Sequence, residues 1–194
     1  MGKARFEAFS DGVIAILITI MVLEMKVPHG ASLASLRPVV PTFLSYVLSF
    51  VYLGIYWNNH HHMLHMVQRV TGPMLWANLH LLFWLSLVPF VTGWMGENEF
   101  GKIPAALYGV VLLSAGTAYV ILQQLIIKSQ GPASPLKRAI GSDWKGKISP
   151  VLYSLGIAGS FVHGFVGLAC YVTVAGIWLV PDLRIERALQ SDGD

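Results

Sequence analysis

The residues with the clearest chemistry lie in the first apolar stretch of the chain, where charged and hydroxyl side chains enter a segment that is predicted to be a membrane helix. Arg5 and Asp11 stand before a run from Gly12 to Leu23 that carries no charge. Polar groups buried in a bilayer are costly unless they are paired, so they are typically functional. Two interpretations follow: Arg5, Ser10 and Asp11 hydrogen-bond this helix to its neighbours, or they only cap it at the membrane interface.

One face of the same helix forms a continuous stripe. Gly12, Ile16, Thr19 and Leu23 are separated by four, three and four residues, which places them on one side of an α-helix. This face is apolar except for the Thr19 hydroxyl.

The signature at the start of this helix resembles that of a known family. Arg5, three intervening residues and then Phe9-Ser10-Asp11 are similar to the R-x-x-x-F-S-D motif of the endosomal and lysosomal potassium channels and their bacterial homologues, the transmembrane protein 175 family. The resemblance implies a pore lined by the first of six membrane helices. It also favours a packing network of Arg5, Phe9, Ser10 and Asp11 over simple capping.

The resemblance further implies roles along the stripe. It puts Ile16 at a hydrophobic constriction, Thr19 at a hydroxyl layer and Leu23 at a further apolar layer, and we place Ile20 beside them in the pore. Members in eukaryotes resemble two six-helix units in one chain. A chain with one unit therefore implies a homotetramer.

A histidine-rich segment, Asn58 to His65, is predicted to end the second helix. His61 and His65 are four residues apart, a spacing that suits a divalent metal. A zinc site normally has three or four ligands, however, and no acidic residue lies near in the sequence. We therefore predict no metal site, and expect these histidines to be solvated or to pair with a carboxylate such as Asp11, with proton sensing left open.

Acidic residues are predicted near the outer ends of the helices. Glu24 follows Leu23 directly, and Glu97 and Glu99 lie in the loop after the third span. A cation-attracting vestibule is the functional interpretation, and Glu24 is its best candidate. A solvated hydrophilic loop explains Glu97 and Glu99 equally well.

Composition sets the class of protein. Of the 194 residues, 55% are hydrophobic and 12% are charged, about half the roughly 25% charged residues of soluble domains. A membrane span needs about 20 mainly apolar residues. We predict an all-α membrane protein with a single domain, residues 1–194, and six spans at residues 5–25, 38–62, 73–94, 103–127, 146–162 and 165–183, with a bend at Pro89 in the third.

The basic residues predict the orientation. With the amino terminus in the cytoplasm, Lys26, Arg37 and Lys102 fall outside, and the other ten of the thirteen lysines and arginines fall inside. Basic residues near span ends favour the cytoplasmic side, so we expect a multi-pass protein of the cell membrane with both termini inside. The basic pI reflects this topology, because the chain lacks the basic face of a nucleic-acid-binding domain.

These features favour a passive, potassium-preferring cation channel without cofactors, with potassium as the permeating ion and the lipid bilayer and other copies of the chain as partners. Nucleotide-binding and metalloprotease motifs are absent, so we expect no enzyme activity. The alternative is a small secondary transporter or divalent-metal permease that uses the His60–His65 cluster.

Overall fold

The computed structural model describes residues 2–179, and every regular element in that range is helical. The α-helices are α1 (Lys3–Ile20), α2 (Val40–His65), α3 (Gly72–Ser86), α4 (Val88–Glu97), α5 (Lys102–Gln130), α6 (Pro135–Ile140), α7 (Trp144–Ser160) and α8 (Gly164–Leu179). Four continuous segments are long and apolar enough to cross a membrane: Lys3–Glu24, Leu33–His65, Gly72–Glu97 and Lys102–Gln130. The all-α membrane fold is confirmed, and α7 and α8 correspond to the fifth and sixth predicted spans.

The first two spans both contain 3₁₀ turns. Met21–Glu24 continues α1 in the tighter 3₁₀ form, and the chain turns extended at Met25. Leu33–Val39 is a 3₁₀ segment that contains Pro38 and leads into α2. Proline has no N–H to donate, and it is tolerated in the first turn of a helix. Because the residues up to Val39 are in the 3₁₀ form, regular α-helix begins at Val40, two residues after the predicted start of the second span.

The third span consists of two helices. It breaks at Leu87, between α3 and α4, and Pro89 lies in the first turn of α4. Proline cannot donate a hydrogen bond to the carbonyl four residues earlier, and its ring crowds that carbonyl. The Leu87 amide instead donates to Trp84 at 3.2 Å, in a tighter turn. The bend expected at Pro89 is thus an interruption two residues upstream of it.

The last apolar tract divides at the turn between Ser160 and Gly164. Gly164 is needed there because an added Cβ would overlap the carbonyl oxygen of Phe100, which brings this turn against the loop between α4 and α5. Residues 180–183, the predicted end of the sixth span, lie outside the described residues. The basic loop after α5 contains a short helix that the sequence did not predict, α6, which Ser134 caps by accepting a hydrogen bond from the Lys137 amide at 3.2 Å.

The longest helix, α5, is central to the bundle, and it packs against α3, α4, α7 and α8. By contrast, α1 packs mainly against α2 and α3, with a smaller contact to α4. The helix that carries the signature therefore lies at the edge of the subunit, where one of its faces stays uncovered.

Candidate pore helix and its packing network

The two faces of α1 have opposite environments. One face is buried, and it consists of Phe6, Ser10, Ile14, Leu17 and Met21. The other face is exposed, and it consists of Arg5, Phe9, Gly12, Ile16, Thr19 and Leu23. Spacings of three and four residues along each set follow the helical period. The predicted pore stripe thus coincides with the uncovered face.

The exposed face is apolar from its centre to Leu23. Ile16 is 59% exposed, Ile20 39% and Leu23 77%, although isoleucine and leucine are usually buried in a folded chain. The Thr19 hydroxyl donates a hydrogen bond to the Ile16 carbonyl at 2.9 Å. A hydroxyl has two acceptor lone pairs, so this bond leaves the oxygen of Thr19 able to accept from water or to contact a cation.

Buried hydrogen bonds hold the other face to α2 and α3. Ser10 donates to the Phe6 carbonyl at 3.0 Å, and its oxygen accepts a hydrogen bond from Asn78 Nδ2 at 2.9 Å. The other end of the Asn78 amide, Oδ1, lies 2.8 Å from His60 Nε2. All three side chains are buried. A serine, an asparagine and a histidine thereby connect three helices.

The chain of donors also determines the histidine tautomer. The Ser10 hydroxyl gives its only hydrogen to Phe6, so it accepts from the amide nitrogen of Asn78, and the amide oxygen must face His60. His60 therefore carries its proton on Nε2. Its Nδ1 is buried and has no hydrogen-bond partner among residues 2–179.

Asp11 makes a separate contact with α2. Its carboxylate accepts a hydrogen bond from Trp57 Nε1 at 3.1 Å, near the surface. The Trp57 ring stacks on His61 at 6.1 Å between centroids, and His61 stacks on His65 at 6.3 Å. Lys3 donates to the His65 carbonyl. The cytoplasmic ends of α1 and α2, in the predicted orientation, are thus joined by side chains from both helices.

The structure brings only part of the signature into this network. Ser10 and Asp11 contact α2 and α3, whereas Arg5 and Phe9 lie on the exposed face. Within residues 2–179 the Arg5 side chain makes no hydrogen bond or ion pair. Asn78 is the network residue that sequence reasoning missed. A lone amide inside the apolar third span was the signal that could have identified it.

Beyond Leu23, the carboxyl-terminal end of the first span lies beside α4 and carries charged residues. The Glu24 carboxylate covers Gly93, where an added Cβ would lie 2.9 Å from Glu24 Oε2. Lys26 and Glu97 form an exposed ion pair at 2.7 Å. The hydrogen bond that Lys26 donates to the Glu97 carboxylate, together with the negative charge of that carboxylate, raises the pKa of Lys26 above the usual value. Glu99 lies in the loop with a positive φ of 49°.

The histidine cluster has a packing role in this geometry. His60 faces Asn78, and His61 stacks between Trp57 and His65. In the described part of the chain, no three His, Cys, Asp or Glu side chains come together as metal ligands would.

Comparison with known proteins gives the family. A sequence model of the family described as endosomal/lysosomal potassium channel TMEM175 matches residues 5–89. A potassium channel of Chryseobacterium sp. (strain P1-3) is 55% identical over 192 residues, which cover 99% of this chain and all of that one. The chain belongs to the TMEM175 family. This family consists of ion channels, so the expectation that the chain is not an enzyme is confirmed.

Other TMEM175 relatives match over different lengths. A potassium channel of Streptomyces collinus is 36% identical over 62% of each chain. The endosomal/lysosomal proton channel TMEM175 of Gallus gallus is 32% identical over 54% of this chain, but only 24% of its own length. The crystal structure of a lysosomal potassium-selective channel TMEM175 homologue from Chamaesiphon minutus superposes with a TM-score of 0.80 and 26% identity, over 93% of this chain and 97% of that one.

Proposed function

We propose that this TMEM175-family protein is a potassium-preferring cation channel that conducts passively through a homotetrameric pore lined by α1. The observation that supports it best is the uncovered stripe on α1. Ile16, Thr19 and Leu23 lie on a membrane helix, face away from their own subunit and match the positions that the family resemblance assigns to the pore. The relatives named as potassium channels support the choice of ion.

One helix face cannot enclose a water path, so the proposal requires several copies around a symmetry axis. Four copies follow from the resemblance, since eukaryotic members resemble two such units in one chain. The likeness of the whole subunit to a solved channel homologue supports an oligomeric membrane assembly. The bilayer covers the outward faces of the remaining helices.

The stripe supplies two physical functions. Rings of Ile16, Ile20 and Leu23 gate the path by size and dewetting, and a ring of Thr19 oxygens replaces part of the hydration shell of a permeating cation. The stripe contains neither a ladder of backbone carbonyls nor a ring of charged side chains, so it does not restrict the path to ions of one radius. We therefore expect potassium to be preferred over sodium with some sodium leak.

The outer vestibule has a modest charge. Glu24 is the predicted cation-attracting residue, but its carboxylate lies over Gly93 of α4. The positive charge of Lys26 is also close enough to interact with this carboxylate. Glu97 is paired with the same lysine. We propose that Glu24 raises the local cation concentration weakly and does not select among cations.

The deciding experiment is ion flux through purified protein in liposomes under separate potassium, sodium and proton gradients. We expect non-saturating potassium flux, slower sodium flux and none in protein-free liposomes. Ile16→Trp should block it by filling the axis, whereas Ile121→Trp, at an exposed position of α5 away from the stripe, should not. Saturable, proton-driven uptake insensitive to Ile16→Trp would instead support the transporter alternative.

The proposed orientation, with both termini cytoplasmic, has its own test. Ala133 is exposed in the basic loop, whereas its neighbour Ser134 is buried. In a Cys170→Ser background, a cysteine at Ala133 should resist a membrane-impermeant thiol reagent added to intact cells. A cysteine at the exposed residue Asn98, in the outer loop, should react. Labelling at position 133 would reverse the orientation.

A further inference from the structure

A cavity of about 310 Å³ lies between α2, α5, α7 and α8, away from the stripe on α1. Its walls include the rings of Tyr52, Tyr56, Tyr119, Tyr153 and Trp178. A cavity of about 150 Å³ with apolar walls is large enough to bind benzene. This one is therefore large enough for a molecule of two fused rings.

Two polar groups in the cavity have no partner. Gln123 lies on the wall with only 7% of its surface exposed, and its amide makes no hydrogen bond with any residue between 2 and 179. The Tyr56 hydroxyl, also in the wall, likewise makes none within that range. Neither side chain supplies a fully buried unpaired atom, a description that fits His60 Nδ1 among residues 2–179; both line the cavity, where a guest can reach their polar atoms. These two groups point to a guest that forms hydrogen bonds.

A third polar side chain in the wall, Asn59, limits which polar groups the guest can carry. Asn59 Nδ2 donates to the Ile55 carbonyl at 2.8 Å, so its Oδ1 is left as an acceptor. The Gln123 amide and the Tyr56 hydroxyl can each donate and accept. Asp143 also lines the cavity, but its carboxylate caps α7 by accepting a hydrogen bond from the Gly146 amide at 3.1 Å. The three uncharged groups together suit a head with both a donor and an acceptor. A lipid acyl chain would fill the apolar space but leave Gln123 unpaired.

We propose that this cavity is a binding site for a small, uncharged aromatic molecule that carries a hydroxyl or amide group. The aromatic body packs among the tyrosine rings, whose offset and edge contacts favour flat guests, and its polar group hydrogen-bonds to Gln123. The site lies one helix away from α1, because α2 supplies Tyr52, Tyr56 and Asn59 to the wall and also carries Trp57 and His60. The proposal concerns binding alone and does not depend on channel activity.

The test compares 2-naphthol with naphthalene by isothermal titration of the purified protein in nanodiscs. Both have two fused rings, but only 2-naphthol has a hydroxyl. One neutral hydrogen bond corresponds to a roughly five- to tenfold gain in affinity, so we expect 2-naphthol to bind tighter by that factor. Gln123→Leu should remove this preference while naphthalene binding stays the same.

Two further variants control the experiment. Gln124→Leu changes the neighbouring glutamine, which is exposed, and should leave both affinities as in the wild type. Gly116 lines the cavity, and an added Cβ would lie 3.7 Å from the Tyr56 hydroxyl, so Gly116→Leu should fill the space and abolish saturable binding of both compounds. Partitioning into the nanodisc lipid alone would give equal signals in all variants.

Three outcomes would overturn the proposal. One is the absence of saturable 2-naphthol binding to the wild type. Another is a preference for 2-naphthol that survives Gln123→Leu. The third is a phospholipid that stays bound to both the wild type and Gln123→Leu in native mass spectrometry but is lost from Gly116→Leu, which would assign the cavity to an acyl chain.

Discussion

The two faces of α1 belong to one helix but are constrained in different ways. The buried face is fixed within the subunit by the hydrogen bonds that run from Ser10 through Asn78 to His60. Among residues 2–179, the exposed face from Arg5 to Leu23 makes no such bonds to other helices, and its one side-chain hydrogen bond returns to its own backbone at Ile16. Substitutions on the buried face should therefore lower the stability of the fold. Substitutions on the exposed face should instead change ion permeation.

The largest expected effect comes from removing the centre of the buried network. Asn78→Leu keeps the size of the side chain but removes the donor to the Ser10 oxygen and the acceptor for His60 Nε2, while the bond from Ser10 to the Phe6 carbonyl remains. Each unsatisfied buried group costs about 1 to 3 kcal/mol, so we expect a loss of about 3 kcal/mol in stability and little assembled protein. Thermal unfolding and size-exclusion chromatography in detergent would measure both quantities.

The control for this change is Asn98→Leu. Asn98 is exposed, and its side-chain amide donates to the Trp94 carbonyl of its own helix turn at 2.8 Å. It should unfold nearly as the wild type does. A stable Asn78→Leu channel with altered ion preference would contradict the different roles of the two faces. It would show that the buried network controls permeation directly.

The next effect concerns the exposed face. If Ile16 forms the narrowest ring, Ile16→Asn should hydrate it and raise conductance several-fold, since polar side chains remove the dewetting barrier. Ile16→Val keeps the ring apolar and should leave conductance low. Single-channel recording in planar bilayers would distinguish them. Unchanged currents in Ile16→Asn would show that this face does not line the path.

A smaller effect is expected at Thr19. Thr19→Val keeps the shape but deletes the hydroxyl that could contact a cation, so the potassium-to-sodium permeability ratio should fall while conductance stays similar. Reversal potentials under bi-ionic conditions would measure this ratio. Thr173→Val is the matched control, because that exposed threonine on α8 makes the same kind of backbone bond, to Ala169 at 2.8 Å. Equal ratios in both variants would exclude a role for Thr19 in selectivity.

The smallest effect is expected at the outer ion pair. Lys26 is 83% exposed in its bond to Glu97, and exposed ion pairs contribute little to stability. The raised pKa of Lys26 keeps it charged throughout the neutral range, so the pair would lose its lysine charge only at strongly alkaline pH. Lys26→Ala should change unfolding little and slightly increase cation entry at low salt. A large loss of stability would mean that the outer end of α1 is held as firmly as the buried face.

The sequence could predict the two faces of α1 because helical spacing determines them locally. Once the residues from Gly12 to Leu23 form a helix, the positions of Ile16 and Thr19 relative to Ser10 follow from the period of 3.6 residues. The two spans predicted at residues 146–162 and 165–183 followed in the same local way from length, because the last apolar tract is too long for one span. These predictions needed no knowledge of other segments of the chain.

The partners of α1 could not be predicted, because they depend on packing between distant segments. Asn78 meets Ser10 across 68 residues of sequence, and nothing local to either residue indicates the pairing. The resemblance also named Arg5 and Phe9 for the network; both lie on the exposed face of the single chain, so their role in packing stays a prediction. The bend was predicted within two residues of the break at Leu87, because Pro89 disrupts the helix locally. In contrast, α6 was not predicted, because its six residues are too few to show a periodic pattern.

The 3₁₀ turn from Met21 to Glu24 changes the angular spacing of side chains at the carboxyl-terminal end of the first span. An α-helix advances about 100° per residue, but a 3₁₀ turn has three residues per turn and a rise of about 2.0 Å, so side chains three apart eclipse each other. Ile20 and Leu23 therefore point in nearly the same direction, about 6 Å apart along the axis. Cysteines at these two positions would lie one above the other on the same side of one chain, a geometry suited to binding a soft ion such as cadmium.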